Sequence, residues 1–304
     1  MWLWLKPRGL DRLFESSASE DVKAYTAFVE VCLTQRIKEE EQLEMEGGNK
    51  DARKDFFHYL FRAKDSETGE LSYPPGELLS ESDLLIIAGS DTTSTVFAAA
   101  FFYLVHNPQA QSKLTTEIRS TFESVDEVRN GKKLQSCTYL RAFIDESMRM
   151  NTPTSGELNR EVLPGGLFVK GEFFAEGPNV GVSIYSIHHN ETYFPEPFAF
   201  RPERWIEGKG VTAESVAFAT SAFNPFSIGT RGCIGKNLAY MEMTIAIAKV
   251  IYRYDLRRVN QETTGVGSPE LGWGRRDKRQ YQVNDTFVAA GRHGPKVQFK
   301  ACAH

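Results

Sequence analysis

A mainly α fold with a small β portion follows from three observations on this chain of 304 residues. Apolar residues recur at helical spacing along most of its length, including a long run from Leu78 to His106. Short apolar segments broken by turn signals mark the stretch from Glu161 to Val182. A glycine-rich loop, Phe226 to Gly235, feeds a further helix-periodic run from Leu238 to Ile251.

Length allows one large or two ordinary domains, and a 41% hydrophobic content suits a globular core. A net charge of −4 argues against nucleic acid as a partner. The four cysteines, at 32, 137, 233 and 302, form no C-x-x-C pair. That disfavours both a zinc site and a disulfide framework and fits a reducing compartment. Met1 to Leu5 are apolar but give way to Lys6, Pro7 and Arg8, far short of the roughly 20 residues of a spanning helix. No signal peptide or membrane anchor is read here.

Taken in order, Ser17 and Glu20 form a capping box, and Val22, Tyr25, Phe28, Val29 and Cys32 predict a helix from about Ser19 to Glu46, ended by Gly47 and Gly48. Trp2, Leu3, Trp4 and Leu5 read equally as core or as a membrane-surface contact. Phe56, Phe57, Leu60 and Phe61 give a short amphipathic helix. The run from Leu78 to His106 is long enough to cross a membrane, but Glu81, Asp83 and Asp91 lie within it, so it is read as a helix buried in protein. Asn107 and Pro108 end it, and Gln109 to Glu123 form the next helix.

Tyr139 to Met150 is a helix carrying Glu146 and Arg149, whose i,i+3 spacing lets them face the same way. Glu157 and Arg160 repeat that spacing but follow Pro153 and Gly156, on extended chain. Turn signals at 164–166, 170–171 and 177–178 make a small β-sheet of the stretch from Glu161 to Val182. His188 and His189, read as part of a strand, would point to opposite faces and make a poor metal pair. Residues 261–276 read as a mobile loop, and Asp285 to Ala290 with Lys296 to Phe299 as a closing hairpin that completes the carboxyl end.

In the loop from Phe226 to Gly235, two glycines bracket Cys233 and a helix follows. The partial positive charge and unpaired N–H groups of a helix N-terminus favour a thiolate there. Phe226, Gly229, Arg231, Cys233 and Gly235 match F-x-x-G-x-R-x-C-x-G, a coincidence expected in roughly one chain in ten thousand or fewer. With this loop the chain resembles the cytochrome P450 family of haem-thiolate monooxygenases. Two further segments, TYLRAFIDESMR from Thr138 and IGKNLAY from Ile234, look like fungal members that oxidise secondary metabolites or small aromatics.

The resemblance implies the C-terminal part of the cytochrome P450 fold, with the N-terminal part missing, across a single partial domain. It implies haem (iron protoporphyrin IX) as cofactor, with Cys233 as the iron ligand and glycines that admit a flat macrocycle. Arg231 and Arg160 would pair with propionates, and Phe226 would shield the sulfur. Ala88 and Gly89 would leave room beside the distal helix, where Asp91 and Thr92 would organise the protons for oxygen activation. Thr154, Ser155 and Gly156 would line the substrate pocket. Glu146, Arg149 and Arg204, the last from the segment Phe200 to Trp205, would form a buried triad beneath the haem. The implied reaction inserts one oxygen atom from O2 into a hydrophobic small molecule. Electrons would come from NADPH through a cytochrome P450 reductase, steered by Lys236. The implied location is the cytosolic face of the endoplasmic reticulum membrane. Two other readings stand beside it: a truncated, non-catalytic remnant, and a haem-thiolate isomerase or dehydratase.

Overall fold

Leu114, Ile118, Leu140, Ile144, Ile247 and Ile251 are buried in one cluster, and they come from three helices whose apolar residues repeat at every fourth position. The computed structural model describes residues 20–45, 54–260, 265–272, 275–284, 288–289, 291 and 294–302. They divide into two compact units, Met1–Ala88 and Gly89–His304.

In the first unit, α1 (Glu20–Met45) buries Val29 and Leu33 and is followed by the short α2 (Phe56–Leu60). A polar knot joins them. Arg36 donates to Asp55 at 2.8 Å, and the buried Glu40 carboxylate accepts from Arg36, Arg62 and the His58 ring. The segment Met1 to Leu5, Ser17, and the glycines at 47 and 48 lie outside the described residues.

The long α3 (Pro75–His106) begins in the first unit and ends in the second. Among the described residues it is long and apolar enough to cross a membrane by length and composition. Its burial differs between the halves, which corrects the reading of a helix buried throughout. Val96, Ala99, Ala100 and Phe102 to Val105 are buried, whereas Leu84, Ile87 and residues 88–91 are exposed. The second half meets the apolar faces of its neighbours in the cluster; the first buries Leu78 and Ser82.

The remaining core helices are α4 (Pro108–Thr121), α6 (Thr138–Met150) and α9 (Lys236–Arg253), with the four-residue α5 (Lys132–Gln135) between the first two and α8 (Ala213–Ser221) before the last. Cys137 supplies no side-chain cap to α6, and Glu117 of α4 does so instead, accepting the Tyr139 and Leu140 N–H groups at 2.8 Å. At the other end of α9, Arg119 donates to the Ile251 and Tyr254 carbonyls, at 3.2 and 3.1 Å. Single side chains of α4 thus fix the ends of both helices that frame the site.

Among the described residues the β portion consists of three two-stranded ribbons, two of them in the stretch read as one small sheet. β1 (Arg160–Glu161) pairs with β4 (Asn179–Val180), and β2 (Leu167–Val169) with β3 (Glu172–Phe174). The β2–β3 turn is Lys170-Gly171 with φ of +49° and +86°, a two-residue hairpin that matches strand twist. β5 (Tyr254–Arg258), which follows α9 directly, pairs antiparallel with β6 (Val297–Ala301). This corrects the expected closing hairpin: β6 finds its partner before the loop, and residues 285–287 and 290 lie outside the described residues. His188 is also not on a strand. It ends α7 (Ile184–His188), which Ser183 caps by accepting the Ser186 N–H, and His189 follows as the C-cap.

Ile118 is fully buried and Ile87 is exposed on α3. Ile118→Ala is expected to cost about 2–5 kcal/mol, and Ile87→Ser to stay within about 0.5 kcal/mol, both measured from urea unfolding midpoints.

Candidate functional site

Cys233 lies between a 3-10 turn, Gly229–Arg231, and the first residue of α9, with its side chain exposed. Its N–H donates to the Phe226 carbonyl at 2.9 Å, and the Gly232 N–H donates to the Gly229 carbonyl at 3.0 Å. Ser227 and Gly229 take φ of +58° and +75°, so the chain doubles back and brings the cysteine beside Phe226. At Gly235 an added Cβ would stand 3.7 Å from the Cys233 sulfur, in the space on that side of it. Ile228, Arg231 and Ile234 are exposed on the same loop, and Ile234 keeps 99% of its surface.

Glu146, Arg149 and Arg204 come together in the interior, each under a tenth exposed. Arg149 forms a bidentate pair with Glu146, Nε and Nη2 both at 2.9 Å, and Arg204 Nε donates to the same carboxylate at 3.1 Å. The Arg201 N–H and the Trp205 indole add bonds of 2.9 and 3.0 Å. Burial pushes the Glu146 carboxyl up, but the charges of Arg149 and Arg204 with these donors outweigh it and bring it down to about 2. Two cations face one anion here. The surplus charge is spread over carbonyls, Arg149 donating to His188 and Pro197 at 2.8 Å and Arg204 to Pro195 at 3.1 Å. The irregular stretch before the 3-10 helix Pro202–Trp205 therefore has its polar backbone satisfied.

His188 ties this cluster to the cysteine loop. The Asn224 N–H donates to His188 Nε2 at 3.0 Å, which makes Nε2 an acceptor and leaves the proton on Nδ1, 2.8 Å from the Thr152 hydroxyl. Burial, aided by Arg149, holds the His188 imidazole down at about 3 and that of His189 at about 4. Protonated His188 would set an N–H against the Asn224 N–H. The sequence signals neither this anchoring role of His188 nor that of Trp205, because their partners lie far away in the chain.

Asp91 is exposed on α3 and Thr92 is half-buried. The Asp91 carbonyl is 3.0 Å from the Ser94 hydroxyl and 2.9 Å from that of Thr95, which also lies 2.8 Å from the Ala289 carbonyl. The Ala289 N–H donates in turn to Pro153, next to Thr154 and Ser155. Thr154 and Ser155 are half-buried, and Gly156 is exposed. An added Cβ at Gly89 would meet nothing within 4 Å, so the helix surface there is open. Arg160 is exposed on β1 and donates to the Leu158 and Asn159 carbonyls.

The family model for Cytochrome P450 matches residues 1–273. The chain belongs to the cytochrome P450 family. It is 43% identical to the cytochrome P450 monooxygenase apf7 of Gibberella fujikuroi, covering 97% of this chain and 54% of that protein. It is 37% identical to the monooxygenase AKT7 of Alternaria alternata, covering 96% and 55%. The monooxygenase lcsN of Purpureocillium lilacinum is 35% identical, with 97% and 83% covered. A cytochrome P450 crystal structure, 19% identical, superposes with a TM-score of 0.67 over 92% of this chain and 56% of its own. The chain thus spans about half the length of apf7 and AKT7.

Haem is the cofactor that this family implies. The cysteine loop fits it: an exposed sulfur donor stands beside a glycine, and apolar Ile228 and Ile234 and the cationic Arg231 are exposed on the same loop.

Glu146→Gln breaks a buried ion pair and is expected to cost about 3–5 kcal/mol. Unfolded, Glu146 has its ordinary value of 4.5 and the histidines theirs of 6.5, so the unfolded chain binds protons first in every case. Stability is therefore expected to fall with pH, below about 6.5 through the histidines and between 4.5 and 2 through Glu146. His188→Gln should flatten the thermal midpoint between pH 6.5 and 4.5; an unchanged slope would remove His188 from this account.

Proposed function

We propose that this chain is the haem-binding part of a monooxygenase that acts on a hydrophobic small molecule in fungal secondary metabolism. The observation that carries this reading is the exposed Cys233 in a complete F-x-x-G-x-R-x-C-x-G loop, anchored to the cluster around Glu146 through His188 and Asn224. When bound, haem supplies activation of dioxygen and insertion of one oxygen atom into the substrate. Cys233 binds the iron through sulfur. Arg231 and Arg160 hold the propionates, and Phe226 packs beside the sulfur and limits water there. Thr92 holds a proton toward the reacting oxygen, and the exposed Asp91 replenishes it from solvent. Ala88, Gly89, Thr154, Ser155 and Gly156 contact the substrate. Glu146, Arg149 and Arg204 touch no reactant and serve to hold the loop.

Electrons come from NADPH through a reductase that docks near Lys236, and the enzyme works at the cytosolic face of the endoplasmic reticulum membrane. One observation favours a second reading, a non-catalytic chain: residues 228–234 of the loop are exposed. Carbon monoxide added to the reduced, haem-reconstituted chain separates the two. A thiolate-type Soret band that Cys233→Ala abolishes supports the enzyme; its absence in the wild-type chain supports the non-catalytic reading. In an active preparation, Thr92→Val is expected to lower turnover by roughly 100-fold with haem binding unchanged, whereas an isomerase or dehydratase would turn over without O2 or NADPH.

A further inference from the structure

Asp145 precedes Glu146 on α6, and the two carboxylates diverge by about 100° around the helix axis. Glu146 grips the segment from Arg201 to Trp205, upstream of the cysteine loop. Asp145 grips the helix downstream of it. The Tyr240 hydroxyl of α9 donates to Asp145 Oδ1 at 2.7 Å, and Arg141 Nε donates to Oδ2 at 2.9 Å. The Arg141 guanidinium also lies 3.7 Å from the centre of the Tyr240 ring, so the phenol is held at its oxygen and against its face. The Tyr240 and Phe226 ring centres are 5.1 Å apart, and the Phe226 carbonyl accepts the Cys233 N–H. An unbroken series of contacts thus runs from Asp145 through Tyr240 and Phe226 to the cysteine.

We propose that Asp145 and Tyr240 are positioning residues for Cys233, forming with Arg141 a second clamp that fixes the loop from its downstream side. The bond from Tyr240 stops the α9 ring from rolling away from Phe226, and Phe226 in turn keeps its carbonyl in place for the cysteine N–H. The Glu146 cluster has no contact with Tyr240 of this kind, so the two clamps act on separate ends of the loop. Only the spectral part of the following test rests on Cys233 being the iron ligand.

Tyr240→Phe keeps the ring and removes the hydroxyl. Hydrogen exchange at the Cys233 amide, measured on the haem-free chain, is expected to quicken about tenfold, the fold-change for losing one hydrogen bond to a charged acceptor. Amides inside α6 should keep their rates. In the haem-loaded chain the same variant should shift the reduced carbon monoxide spectrum from thiolate-type toward thiol-type. Unchanged Cys233 exchange, or an equal rise in every α6 and α9 amide, overturns the clamp, as does lower thermal stability with an unaltered Cys233 rate. If Tyr240→Phe fails to fold, Asp145→Asn takes its place, with the same expected quickening and the same contrary results. A wild-type chain without a thiolate-type band counts against the haem reading alone, because the exchange comparison needs no haem.

Discussion

The buried carboxylate of Glu146 is the constraint on which the site depends. It is fully enclosed, and it is met by two guanidiniums, an indole N–H and a backbone N–H. A single partner could not offset the loss of hydration for so enclosed a charge; five N–H bonds from four groups, two of them positively charged, do, and hold it ionised. The guanidiniums have donors to spare, which collect carbonyls from 188, 195, 197 and 199. One short acidic side chain thereby organises a stretch of chain that has no regular hydrogen-bond ladder of its own. Removing it would leave two buried cations facing each other.

That irregular stretch leads to the cysteine loop, and its rigidity is passed on through few contacts. Arg149 donates to the His188 carbonyl, and the His188 ring accepts the Asn224 N–H two residues before Phe226. Downstream, Tyr240 leans on Phe226 and is tied to Asp145. Both routes start on α6, a helix buried on nearly every side; one ends at Asn224, and the other at Phe226, whose carbonyl accepts the Cys233 N–H. The exposed part of the loop can present its sulfur at a set position because the parts on either side are held from within.

Local signals made much of this legible in the sequence. Helical periodicity marked α1, α3, α4, α6 and α9, and the contrast between Glu146–Arg149 on a helix and Glu157–Arg160 on extended chain picked out the pair that meets. Lys170-Gly171 was a turn by composition and is one by φ. What stayed hidden depends on partners far apart in the chain. Trp205, Asn224 and Tyr240 are unremarkable by local pattern and matter only because folding brings α6 and α7 to them. Strand β6 was recognised, but its partner was misplaced, since apolar alternation shows that a segment pairs without showing with what. For His188 a local signal existed in Ser183, the N-cap of α7.

The central claim is that this internal scaffold presents Cys233 as an iron ligand. X-ray absorption at the iron edge of the haem-reconstituted chain tests it most directly. The account predicts one sulfur neighbour in the first coordination shell of the wild-type protein and none in Cys233→Ala. A first shell of nitrogen and oxygen alone in the wild type, or a sulfur that persists after the substitution, would contradict it.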